Sequence, residues 1–87
     1  MTIREIGRAE FDRYGIARAP MAAVMYEEKR WFETDDGALG LVSRDKTDGD
    51  WQWMVLKKED GSYRAVTFDA SIETEQGAID ALFAALG

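Results

Sequence analysis

The sequence predicts an α+β fold: a four-stranded antiparallel meander, a C-terminal helix packed on one face, and a short-helical or irregular N-terminal segment. Three observations carry this. Asp-Gly occurs at Asp36-Gly37, Asp48-Gly49 and Asp60-Gly61, in even steps of 12 residues. Asp-Gly favours tight hairpin turns, because Gly has no Cβ and Asp tolerates the left-handed region. The runs between these turns are rich in β-branched and aromatic residues, and TEQGAIDALFAALG closes the sequence with apolar residues at helical spacing.

The 87 residues make one small domain, 1–87. It divides into an N-terminal segment over 1–25, a sheet over 26–69 and a helix over 74–86. A chain of this size builds only a modest core, so stability depends on good packing or on a partner.

In the N-terminal segment, Gly7 and Gly15 interrupt any long periodicity, and RAEFDRY between them fits a turn or two of helix. Pro20 suits a first helical turn, where its missing N–H would be orphaned anyway. PMAAVMY then reads as a short helix with Met21, Val24 and Met25 on one side. Val24-Met25-Tyr26 fits the start of the first strand equally well.

Strands are predicted over 27–34, 38–44, 51–58 and 62–69. Two-residue loops at each Asp-Gly place Trp31 opposite Val42, Val42 opposite Val55, Val55 opposite Val66, and Phe68 opposite Trp53. These side chains, with Trp51, share one face. The other carries Phe32, Leu39, Leu41, Met54, Leu56, Tyr63 and Ala65. Both faces are apolar in the middle, so both need a cover. RDKTDGDW is the weak point, since a longer loop there slips the pairing and a one-residue slip swaps faces.

In the helix, Thr74 is the expected N-cap, and Ala78, Ile79, Leu82, Phe83 and Leu86 form the apolar stripe. Gly87 stands where a C-terminal glycine stop belongs. The aliphatic Leu41/Leu56/Ala65 face is the expected seat for this helix. The Trp-rich face is then left for the N-terminal segment, a second copy or another protein.

The sequence contains neither Cys nor His. That excludes disulfides, thiolate chemistry, imidazole ligation and every Ser-His or Cys-His nucleophile. No apolar leader core or membrane-spanning stretch is visible, which makes a cytoplasmic protein the expectation. The net charge of −6 is uneven: residues 1–30 carry six basic and five acidic groups, residues 31–87 five basic and twelve acidic. An acidic domain repels phosphate backbones, so free nucleic acid is a poor partner.

The stretch GLVSRDKTDGDWQWMVLKKEDGSYRAVTF resembles short, acidic, uncharacterised open reading frames of proteobacteria and their mobile elements. The resemblance covers roughly residues 31–87 and carries no assigned activity. It implies a small accessory or phage-type protein.

Three groups are candidates for chemistry. Asp45, Asp48 and Asp50 fall at positions 1, 4 and 6 of a loop, and position 12 is Leu56. A calcium-binding EF-hand needs ligands at 1, 3 and 5 and a Glu at 12, so a solvated hairpin end is the better reading and no metal or cofactor is expected. Glu27-Glu28, Asp35-Asp36 and Glu59-Asp60 are paired carboxylates, but neighbours on a strand point to opposite faces and the other pairs sit at turn tips. Trp31, Trp51, Trp53, Tyr63 and Phe68 could stack on bases, yet such platforms carry basic rims, and Arg44, Lys57, Lys58 and Arg64 are outnumbered by turn acids.

The expectation is a non-enzymatic interaction protein: a phage or mobile-element inhibitor, comparable in kind to anti-CRISPR proteins, that meets a basic surface of a nucleic-acid-binding partner. Its contact residues would be Asp35, Asp36, Asp45, Asp48, Asp50, Trp51 and Trp53. The competing readings are a small sheet that binds single-stranded nucleic acid or nucleotides through its Trp face, and a purely structural homodimer.

Overall fold

The computed structural model describes all residues, Met1–Gly87. The fold is α+β, with an antiparallel sheet of five strands rather than the expected four. In chain order the elements are β1 (Ile3–Ile6), α1 (Arg8–Asp12), α2 (Pro20–Met25), β2 (Tyr26–Thr34), β3 (Leu39–Asp45), β4 (Trp51–Glu59), β5 (Ser62–Ile72) and α3 (Glu75–Leu86). The strands lie in the order β1-β2-β3-β4-β5, so the meander is intact and the extra strand is added at its start. β1 pairs with β2 from Ile3 opposite Thr34 to Ile6 opposite Trp31. It is only four residues long, and its apolar residues do not alternate, so periodicity alone does not mark it.

All three Asp-Gly sites are turns, with Gly37, Gly49 and Gly61 at positive φ. Their lengths differ. Asp60-Gly61 is the two-residue turn expected, with Asp60 at φ 50° and Gly61 at 83°, closing Glu59 onto Ser62. The first hairpin instead loops through Asp35, Asp36 and Gly37, because Thr34 N–H donates to Ala38 O at 2.9 Å. That one added residue places Trp31 opposite Leu41, and Arg30 opposite Val42. Trp31 and Phe32 therefore exchange the faces assigned to them. The middle loop is longer, closed by Asp45 N–H to Asp50 O at 2.7 Å, and sets Val42 opposite Trp53 rather than Val55. A shift of two leaves the faces unchanged. In the last pair a bulge at Val55/Leu56 puts Thr67 opposite Val55, and Phe68 opposite Met54 instead of Trp53.

The cover of the two faces is the reverse of the expectation. α3 packs on the Trp-bearing face, where Phe32, Val42, Trp53 and Val55 meet Ala78, Ile79, Leu82 and Leu86. Gly40 explains why. It lies in that face opposite Val55, and a Cβ there would stand 2.9 Å from Leu82 Cδ2. The absent side chain is the slot into which Leu82 fits, and the aliphatic face has no such slot. Thr74 caps α3 as expected, its hydroxyl accepting from Gly77 N–H at 3.0 Å. On the other face Leu39, Leu41 and Leu56 pack with Ile6 and Phe11 from the N-terminal segment, with Trp31 and Ile16 alongside. The molecule thus has two apolar clusters, one on each side of a single sheet.

Candidate functional site

Each hairpin end carries acidic side chains, and the structure separates them as the meander requires. At one end Asp35 and Asp36 lie beside the Asp60-Gly61 turn, the two tips joined by Tyr63 OH donating to Gly37 O at 3.4 Å. Asp36 accepts from the Thr34 hydroxyl, and this bond holds its carboxyl below the ordinary range.

The other end is built around Asp45. Its Oδ1 accepts from the backbone N–H of Thr47 at 2.7 Å and of Asp48 at 3.4 Å. Asp48 Oδ1 accepts from Asp50 N–H at 2.9 Å. Such Asx turns are the short-range bonds that make Asp a loop residue. Arg44 reaches along the loop to Gly49 O and lies over the Trp51 ring, 5.7 Å from its centre. Glu27, Arg44, Asp45, Lys46, Thr47, Asp48 and Gly49 line a polar cavity of about 470 Å³.

This acidic loop is fastened to α2. Lys46 N–H donates to Met25 O at 2.9 Å, and Lys46 Nζ donates to Ala23 O at 2.9 Å. The helix, with Pro20 at its N-terminus, ends at Met25, which settles the choice between helix and strand for Val24-Met25. None of its residues is buried. Met21, Val24 and Met25 are 62%, 66% and 42% exposed, so its large apolar side chains point to solvent. The grouping on one side was legible from the spacing, but the direction was not. Half-buried Ala22 takes the inward side, and exposed Ala23 lines the same cleft.

The tryptophans separate. Trp53 lies beneath α3, 8% exposed, with its Nε1 buried and unpartnered. Trp51 is half-buried at the rim of the same cluster. Trp31 belongs to the opposite side, its Nε1 donating to Glu28 Oε1 at 3.0 Å. Phe68, on the edge strand, is 68% exposed. No three His, Cys, Asp or Glu side chains are grouped to hold a metal ion. No helix is long and apolar enough to cross a membrane.

The N-terminal charges are used inside the molecule. Arg4 pairs with Glu33 and Glu10, Arg30 with Glu5 and Glu75, and Arg18 with Glu28 and Asp12. Tyr14 donates to Glu33 Oε2 at 2.5 Å. That hydrogen bond, with burial and the carboxylate charge, pushes the phenol up to about 12. Burial pushes Glu28 up, but hydrogen bonds from Arg18 and Trp31 outweigh it and hold the carboxyl below its ordinary range. These pairs were not legible in the sequence, because their partners come from distant positions. The chain matches no protein-family model, no curated protein and no solved structure.

Proposed function

We propose that this chain is a non-enzymatic interaction protein, an inhibitor comparable in kind to anti-CRISPR proteins, that engages a basic surface on a nucleic-acid-binding partner. One observation carries the reading: the outward Met21, Val24 and Met25 of α2 are tied by Lys46 to the loop bearing Asp45, Asp48 and Asp50. An apolar patch beside a charged rim is the anatomy of a protein interface, in which the patch supplies affinity and the rim supplies orientation and rate. The sign of the rim selects a basic partner. Base stacking has less support, because Trp53 is covered by α3.

The test is capture from the native host, with the captured protein identified and its binding then measured with purified components. The double change Met21→Ser with Val24→Ser should weaken binding through faster dissociation. Asp45→Asn, Asp48→Asn and Asp50→Asn together should slow association and flatten its salt dependence. Asn keeps the Oδ1 acceptor, so the loop should hold its shape. Tight binding to a single-stranded oligonucleotide, or an association rate indifferent to both salt and the aspartate changes, would overturn the reading.

A further inference from the structure

The N-terminal segment does not close over the sheet face that it covers. Between them lies a cleft of about 680 Å³, within the size range of small-molecule sites. Its origin is in the sequence. Ala17, Ala19, Ala22 and Ala23 form the wall, while the floor is Leu41, Met54 and Leu56. Methyl groups facing a sheet cannot fill the space, and the larger side chains of α2 point away from it.

Most of the charges around this cleft are spent on one another. Arg18 donates to both Glu28 oxygens at 3.0 Å, to Asp12 at 2.9 Å and to Ile16 O at 3.1 Å. Arg8 faces Asp12 at 3.8 Å, Glu27 pairs with Lys29, and Lys46 is bonded to Ala23 O. Except at Lys46, whose ammonium is bonded to a neutral carbonyl, a ligand with a net charge would have to break one of these pairs to gain its own partner. Among the polar groups, Ser43 and Gln52 stand apart from these pairs. They face each other in register on β3 and β4, and Ser43 is only 2% exposed. A hydroxyl beside a carboxamide offers donors and acceptors without charge.

We propose that this cleft binds an uncharged amphipathic small molecule. Its apolar body lies between the alanine wall and Leu41, Met54 and Leu56, and its amide or hydroxyl head hydrogen-bonds to Ser43 and Gln52. The proposal is independent of the interface on the outer side of α2.

Three probes with one tail and different heads test it: octanamide, octanoate and octylamine. Each is titrated into the full chain with ¹³C-labelled methionine methyls, while the Gln52 side-chain amide is followed by ¹⁵N NMR. Met54 is the methionine that lines the cleft. Octanamide should shift the Met54 methyl and the Gln52 amide together, and should bind about tenfold more tightly than either charged probe, since desolvating an unpaired charge is costly. Ala22→Trp, which fills the cleft from the wall, should abolish both shifts. Equal binding of all three probes would overturn the assignment of the head. Shifts confined to Met21 and Met25, or no shift with any probe, would overturn the site; these outcomes need only the unaltered chain.

Discussion

A methyl group added at Gly40 would stand 2.9 Å from Leu82 Cδ2 and 3.0 Å from Cδ1. Leu82 is fully buried and cannot swing aside. Gly40→Ala should therefore cost about 1–3 kcal/mol, the range for overpacking a well-filled core. Leu82→Ala should cost about 2–5 kcal/mol alone. In the double variant the two costs should fall short of their sum, because the smaller side chain at 82 admits the new methyl. Urea midpoints of the four proteins measure this coupling; strict additivity would mean that Gly40 is not the slot for Leu82. At this scale the sequence was informative about conformation and silent about direction. It marks Gly37, Gly49 and Gly61 as turn glycines. It does not say that a helix residue more than forty positions away packs against Gly40. The aspartates were legible as loop formers, yet the particular bonds of Asp45 to Thr47 and Asp48 depend on backbone directions that composition does not fix.

Elements add a second lesson, about loop length. Asp-Gly predicts the same two-residue turn at all three positions. Only Asp60-Gly61 is the two-residue form, with both residues at positive φ. In the first hairpin Thr34 extends the ladder to Ala38, and Asp35 joins the loop. The dipeptide locates a turn, and the flanking hydrogen bonds decide its length. One residue was enough to exchange Trp31 with Phe32, and so to misassign the faces. Strand β1 is not marked in the sequence, because four residues carry too little pattern. The candidate acidic ends were legible, since turn tips must hold exposed charge; the apolar patch beside one of them was half legible, as a helical grouping of unknown direction. Two outcomes belong to this scale. Gly61→Ala should destabilise by about 1–2 kcal/mol, the cost of a left-handed backbone with a Cβ, and thermal unfolding measures it. Calcium or magnesium at millimolar concentration should leave the melting temperature unchanged, because Asp45 and Asp48 already spend an oxygen each on backbone N–H groups. A chelator-reversible rise would show that the loop reorganises around a cation.

The whole molecule is held differently on its two sides, and acid should expose the difference. The α3 side is an apolar cluster of Phe32, Val42, Trp53, Val55 and the helix stripe. The other side combines a smaller apolar cluster with ion pairs that tie the N-terminal segment and β1 to β2. Glu33 is bonded to Arg4 and Tyr14, and Glu28 to Arg18 and Trp31, while the Glu5–Arg30 pair lies on the α3 side, where Arg30 also reaches Glu75. Glu5 and Glu33 are lowered chiefly by these hydrogen bonds; Glu28 is lowered in spite of its burial. All three carboxyls titrate below their ordinary value of 4.5 in the folded chain. A group of this kind contributes stability that is complete above its unfolded value and is lost as the pH falls through the lowered folded value. Exposed pairs contribute little, because water screens them. Glu28 is the exception, with a side chain only 14% exposed. Amide hydrogen exchange compared at about pH 6 and about pH 3, after correction for intrinsic rates, should show protection lost first over β1 and the start of β2, while α3 and β4 stay protected. Glu28→Gln should destabilise the chain at neutral pH and reduce the further loss on acidification, since the variant has no charge to remove at that position. If α3 and β1 lose protection at the same pH, or if Glu28→Gln leaves the acid response unchanged, the ion pairs do not hold the N-terminal side and its small apolar cluster must suffice.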